Sequence, residues 1–428
     1  MSDRLPCRTP GCAAAILPAT ALKTGGICMP CHQKIVALEK KAYLLQNRKD
    51  VDRYAGVTDP VEILTIMHAP RTYNPLENEL PYHKSARELY RQLTDSEKER
   101  LETYAIALMD EGDVDEAAAV LLSLVCYTNA RIERGIDAYY HSGEYDPGIL
   151  YKEAGPTIRD GLISLVDRDS TNRNELLVAL AWIGDEEVSQ LFAEWRRNPP
   201  QWASQLYIPP ENYAHTAGWE LDCGGRKRLL FHPQRYHFKV CGDGHGEEEP
   251  ARSAVAALQK SDQVCPWCDA KLTVLLDCHL EDPLLRFMDL PGQRLRIATC
   301  MYCSCYGTIC MKVDLDGAYS WSEYNHIPDC LPSESDPVEE QTWRTLVLME
   351  GLMPTYDGAD CSLEATTSHI GGHPAWIQDA EYPACCSCSD TMRFIGQVDM
   401  EQADDSEGIY YAFLCRDCLI TAVHYQQT

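Results

Sequence analysis

Cysteines recur along this chain in closely spaced pairs, and the pairs constrain its folding more than any other feature. Cys7-x4-Cys12 is followed by Cys28-x2-Cys31, Cys265-x2-Cys268 by Cys300-x2-Cys303, and Cys385-x2-Cys388 by Cys415-x2-Cys418. Each pair reads as a knuckle, a tight turn that aims two thiolates at one point, and two knuckles complete the tetrahedron of sulfurs that zinc prefers. The chain holds 21 cysteines in 428 residues. Such a count in a small secreted domain would mean disulfides. The opening "MSDRLPCRTPGC", however, has no apolar stretch behind a basic start and reads as no secretory signal. In a large cytoplasmic chain thiols stay reduced, so the pairs point to three structural zinc sites.

Four sulfurs leave zinc no open position for water or substrate, so these sites are expected to support folding and not chemistry. Cys305 and Cys310 remain alternatives to Cys303, and Cys386 to Cys385. Cys126, Cys223, Cys241, Cys278, Cys330 and Cys361 lack partner spacing and read as buried small hydrophobes. The surroundings of the last two cysteine quartets also match loosely. "CPWCDAKLTVLLDCHL" parallels "CSCSDTMRFIGQVDM", and "ATCMYCSCYGTICMKVD" parallels "AFLCRDCLITAVHYQQ", the pattern of an internal duplication.

Three regions follow, giving an α+β fold class. Residues 1–50 read as a zinc ribbon and a helix from Gln33 to about Lys49, with Ile35, Leu38, Ala42 and Leu45 on one face. Residues 51–204 read as helical after a proline-rich connector. Thr94 and Glu97 form a capping box, Gly112 ends that helix, and "VDEAAAVLLSLVCYTNARIERGIDAYY" reads as the next. The helix-turn-helix rhythm continues to about Trp202 and resembles a short HEAT-like array. Residues 205–428 are rich in β-branched and aromatic runs, with Asp316-Gly317 as a hairpin signal, and read as a duplicated, mostly-β domain bearing two zinc sites.

Charge bears on partners. The net charge is −27, yet residues 1–50 carry eight Lys/Arg against three Asp/Glu, whereas residues 320–428 carry three against nineteen. An acidic body repels phosphate backbones and attracts basic proteins, which makes nucleic acid an unfavoured partner. The longest apolar run, residues 117–127, is too short to span a bilayer, so no membrane partner is expected. Zincin, nucleophile-elbow, Walker and deaminase motifs are missing from the sequence. "CGDGHGEEE" at 241–249 reads as a surface loop, and His232, His237 and His245 as surface or satisfied side chains. A nucleophilic pairing of His373 with Cys386 is disfavoured because knuckle cysteines are ligands or their neighbours.

At "SHIGGHPAWIQDAEYP" the chain resembles the YwqG-like family of bacterial proteins, the match carried by His369, Gly371, Gly372, Pro374, Trp376 and Gln378. The resemblance covers residues 205–428 and implies a duplicated β domain, with the knuckles as a departure from its simplest members. The whole order of ribbon, helices and zinc-bearing β domain resembles large immunity proteins of polymorphic, Rhs-type toxin systems. That resemblance implies a cytoplasmic, non-enzymatic protein that binds and neutralises a cognate, basic antibacterial toxin, such as an ADP-ribosyltransferase, by blocking its active site. Trp376, Trp343 and Tyr356 are candidate anchors, though core packing is the commoner role for each. Two other readings stay open: a zinc-ribbon nucleic-acid binder or adaptor, and an enzyme that reverses a toxin's modification.

Overall fold

The computed structural model describes residues 4–241, 253–332, 342–360, 362–364 and 368–427. The segment 242–249 and Cys361, both assigned roles from sequence, lie outside the described residues, as does His245. The chain divides into two compact units, Met1–Ala86 and Arg87–Thr428, so the change of texture near residue 205 does not coincide with the border between them.

The smaller unit is built around strands β1 (Leu5–Pro6) and β2 (Ala15–Ile16) and helices α1 (Pro18–Thr24) and α2 (Met29–Asn47). Strand β3 (Lys49–Val51), helix α3 (Pro60–His68) and strand β4 (Glu77–Glu79) complete it, with β3 and β4 paired in parallel. Helix α2 starts earlier than its periodicity suggests, at Met29 behind an extended Cys28, with Pro30 in its first turn, where the missing N–H costs nothing.

The larger unit opens with α4 (Ala86–Tyr90), α5 (Asp95–Glu111), α6 (Val114–Thr128), α7 (Glu133–Ser142), α8 (Pro156–Val166), α9 (Arg173–Ile183) and α10 (Glu186–Arg197). The Thr94–Glu97 capping box forms, and Gly112 ends α5 in the left-handed region. The long helix expected after Gly112 is two helices. Asn129 takes φ 55°, a conformation asparagine tolerates, and its neighbour Ala130 donates back to Leu124, closing α6 before α7 begins. Among the described residues no helix is long and apolar enough to cross a membrane.

Beyond a small hairpin of β5 (Trp219–Leu221) and β6 (Lys227–Leu229) runs one eleven-stranded sheet. Its strands are β7 (Arg235–Val240), β8 (Val255–Val264), β9 (Lys271–His279), β10 (Arg294–Thr299), β11 (Ile309–Val313), β12 (Tyr319–Trp321), β13 (Leu346–Met353), β14 (His369–Gly371), β15 (Arg393–Asp399), β16 (Ile409–Cys415) and β17 (Ile420–Gln426). Helix α11 (Met400–Asp404) joins β15 to β16. The order is β10-β9-β8-β13-β7-β14-β15-β16-β17-β11-β12. Its ends approach one another: β10 packs on β11 and β17, and a bridge joins Arg294 to Asp316, so the sheet is a nearly closed barrel. The expected hairpin forms at Asp316-Gly317, with Gly317 at φ 101°.

Strand β16 shows why both sheet faces are dry. Tyr410, Ala412 and Leu414 join the core inside the barrel with Phe238, Ile370, Ile395 and Val398. Ile409, Tyr411 and Phe413 face the other way and pack with Phe231, Trp376 and Phe394. Alternate residues thus serve two cores, and the strand reads as a continuous apolar run.

Candidate metal centres and a buried polar row

All twelve knuckle cysteines converge in three quartets. Cys7, Cys12, Cys28 and Cys31 form the first, Cys265, Cys268, Cys300 and Cys303 the second, and Cys385, Cys388, Cys415 and Cys418 the third. Within each quartet the sulfurs lie within 4.8 Å of one another. Measured contacts are 3.7 Å for Cys12–Cys28, 3.8 Å for Cys265–Cys303, 3.5 Å for Cys268–Cys300 and 3.7 Å for Cys388–Cys415. A tetrahedron of zinc–sulfur bonds of about 2.3 Å has edges of about 3.8 Å. Disulfides would bring sulfurs to about 2 Å, and these cysteines are free. The donor set therefore fits zinc in number, chemistry and spacing.

Two of the knuckles share one backbone design. Cys265 N donates to Ala270 O at 2.8 Å and Asp269 N to Cys265 O at 2.9 Å. Cys385 N donates to Asp390 O at 2.7 Å and Ser389 N to Cys385 O at 2.8 Å. Asp269 and Ser389 both turn through positive φ, at 57° and 66°. In the smaller unit the second knuckle is the first turn of α2 and not a hairpin tip, a departure from a simple ribbon.

The metal-free thiols share protons unequally. Hydrogen bonds from Thr9 and from the Cys28 amide lower Cys7 to about 6. Bonding to Cys300 and Cys303 lowers Cys265 to about 2, and Cys303 is raised in return. A divalent cation would replace those shared protons.

The alternative ligands are placed elsewhere. Cys305 Sγ meets Met301 O at 3.3 Å and Tyr410 Oη at 3.7 Å. Cys310 and Cys386 stand outside the quartets, in and against the core that holds Trp376. Of the cysteines expected to be buried, Cys126 and Cys278 are buried and Cys241 is half-buried. Cys223 and Cys330 are exposed, a correction: both lie in turns outside the packed faces.

The Gly-Gly motif places a second group of residues. Gly371 and Gly372 take φ 63° and 70°, and Gly372 N donates to His232 O at 2.7 Å and to Gln234 O at 2.8 Å. This clamps β14 onto the start of β7. His373 is buried within reach of Trp182, Phe231 and Tyr356. Its Nδ1 faces Pro374 O at 2.8 Å and its Nε2 faces Thr216 O at 3.0 Å. Burial holds its pKa at about 4, so the ring is neutral and donates to only one of the two carbonyls. Those partners also take up both ring nitrogens, and Cys386 is not among them.

His232 is buried edge-on to Phe287 and hydrogen-bonded to its backbone, a satisfied side chain as expected, whereas His237 is half-buried with an unpartnered Nδ1, and there the expectation of a surface or satisfied histidine fails. Trp376 is a core residue against Tyr411 at 4.7 Å, whereas Trp343 and Tyr356 are half-buried.

Sequence reasoning missed a polar row on the outer face of the sheet. His237, His369, Gln397 and Tyr411 stand opposite one another on β7, β14, β15 and β16. Arg235 shares that face two residues from His237. Asp357 accepts from Arg87 Nε at 3.0 Å, from Arg87 Nη2, and from Arg91 Nη2 at 2.8 Å. Burial would raise the Asp357 carboxyl, but Arg235 and Arg87 outweigh it and hold it below the usual carboxylate range. The sequence did carry a signal: polar residues at alternate positions of the strand run "RYHFKV" and a Gln inside "FIGQVD".

The chain is 37% identical to the uncharacterized protein YpfL of Salmonella typhimurium over 438 aligned residues, which span the whole of both chains. No family model matches the chain, and no solved structure matches it. With that identity over the whole length of both chains, the chain belongs to the YpfL family.

Proposed function

We propose that this protein is a zinc-stabilised binding protein that neutralises another protein, acting as an immunity protein against a cognate antibacterial toxin. In this reading all three quartets hold structural zinc, the helices of the larger unit stack in a HEAT-like array, and the barrel is a YwqG-like domain. The observation that carries the binding role is helix α2. Its 19 residues include no buried side chain, and Leu38 and Leu45, on the face that sequence periodicity marks for packing, are 67% and 71% exposed. A helix normally earns its stability by burying such a face. A protein partner laid along α2 would cover it, and the acidic body would speed encounter with a basic toxin.

The test is co-expression with the product of the neighbouring gene, followed by co-purification. The neighbour should be toxic alone and tolerated with this protein, in a stoichiometric complex that Leu38→Asp with Leu45→Asp abolishes. A neighbour that is harmless alone and forms no complex ends the reading.

A further inference from the structure

A barrel of about eight strands is just narrow enough for its own side chains to fill, and diameter grows with strand number. The eleven strands here leave room to spare, a cavity of about 730 Å³. It lies at one end of the barrel. Lys271 opens β9, Cys300 follows β10, Met400 follows β15, and Tyr410 and Tyr425 stand near the start of β16 and the end of β17. Antiparallel pairing puts the start of β9 beside the end of β10, and the start of β16 beside the ends of β15 and β17. Tyr410 Oη donates to Met301 O at 2.8 Å and ties the two groups into a single rim. The second quartet, through Cys300, forms one lip, and α11, through Met400, another. Protein interiors are close-packed, with voids seldom larger than a water molecule. A space of this size is therefore a mouth left open and not a packing defect, and it falls in the range of about 300–1,000 Å³ typical of small-molecule sites.

The lining says what could enter. Four aromatic side chains, Tyr302, Trp343, Tyr410 and Tyr425, stand with the thioethers of Met301 and Met400. The Tyr410 and Tyr425 hydroxyls are engaged by Met301 O and Glu407 O, both at 2.8 Å, and the two rings lie 4.6 Å apart. Rings fixed in this way contribute apolar surface, which a flat ring system covers by stacking and by contact with sulfur. Among the described residues three charged side chains line the cavity, Lys260, Lys271 and Glu407. Two cations to one anion reverses the balance of the chain, which has 38 Lys and Arg against 65 Asp and Glu. Both lysines are exposed, at the rim and not among the aromatic walls.

We infer that this mouth of the barrel binds a small molecule with a flat, apolar ring system and one acidic group, the rings among the tyrosines and the acid toward Lys271. The site lies wholly within the larger unit.

The test is fluorescence titration of the full-length, zinc-loaded protein with anilinonaphthalene sulfonate, an aromatic acid, and separately with the uncharged phenylnaphthylamine. Each should give a saturable rise at about one dye per chain. Ser406 is exposed on the rim, so Ser406→Trp adds an indole to the mouth without disturbing the core, and it should weaken both dyes at least about tenfold. Lys271→Glu should weaken the sulfonate about tenfold and leave the neutral dye unchanged. Apolar dyes also settle on exposed apolar patches, so Leu38→Asp with Leu45→Asp on α2 is the control and should alter neither titration. Absence of saturable binding, loss of the signal in the α2 variant, or full binding by Ser406→Trp would each overturn the site. Equal responses of the two dyes to Lys271→Glu would overturn the acidic group.

Discussion

Replacing Gly371 by alanine tests whether the Gly-Gly motif is a clamp. A Cβ there would lie 2.0 Å from Gln234 O, 1.0 Å inside the 3.0 Å that real Cβ atoms keep. The obstacle is backbone of the neighbouring strand, so it cannot rotate away. The positive φ of 63° adds about 1 kcal/mol for any residue with a Cβ. Moving Gln234 O also loosens its bond from Gly372 N and the pairing of Gly371 with Arg235, at about 1 kcal/mol for each hydrogen bond lost. The sum is about 3 kcal/mol. Gly372→Ala meets only the side chain of Arg235, at 2.8 Å, and should cost about half as much. Gly351→Ala, with nothing within 4 Å and no positive φ, should be within about 0.5 kcal/mol of the parent. All eight tryptophans lie after residue 181. Urea unfolding followed by tryptophan fluorescence therefore reports the larger unit alone. If Gly371→Ala costs under 1 kcal/mol, or less than Gly372→Ala, the clamp argument is wrong.

Elemental analysis of the purified protein should find about three zinc per chain, and Cys12→Ser, Cys268→Ser and Cys388→Ser should each lose one; a parent content of one or none defeats the quartet reading. Asp357→Asn leaves three guanidiniums without their carboxylate and should cost about 3–5 kcal/mol by urea unfolding; a neutral substitution would mean that the arginines rearrange freely. His232, His237 and His373 are all held at about 4, with burial the main cause. Each stays neutral when folded but takes a proton when unfolded below about pH 6.5, so stability should fall as pH drops from there toward 4. His232→Gln should reduce that slope by about one proton, and an unchanged slope would show that His232 titrates normally when folded.

The cysteine quartets were legible in sequence, apart from the choice of Cys303 over Cys305 or Cys310 and of Cys385 over Cys386, because knuckle spacing is local and a tight turn leaves the thiols little choice of direction. The capping box at Thr94 and the hairpin at Asp316-Gly317 were legible for the same reason. The break between α6 and α7 was not, since Asn129 competes with an uninterrupted apolar pattern and only the backbone shows which wins. The polar row was least legible. His237, His369 and Gln397 are far apart in the chain, and what brings them together is strand register, which no short motif encodes. The face on α2 was found by its periodicity, but periodicity says where apolar residues point and not whether anything covers them.

The two knuckle-bearing segments of the sheet show how one barrel arises from a repeated order of elements. Each runs knuckle, strand, short helix, strand, knuckle, strand: from Cys265 through β9 and β10 to β11, and from Cys385 through β15, α11 and β16 to β17. In the second, Cys415 and Cys418 sit in a tight hairpin and β16 pairs with β17 directly. In the first, Cys300 and Cys303 lead into a helical turn closed by Ser304 N on Cys300 O, and β11 leaves β10 to pair with β17. That exchange of partner joins the two segments. Had β11 stayed on β10, β17 would have been an open edge, and exposed edges invite further pairing. The second quartet therefore stands where the chain crosses from one edge of the sheet to the other. It joins the β8–β9 turn to the end of β10, beside the Thr273–Thr299 end of the β9–β10 ladder. Losing metal there should loosen the crossing from β10 to β11, whereas the third quartet, whose second knuckle is also held by the β16–β17 ladder, should be the more dispensable of the two.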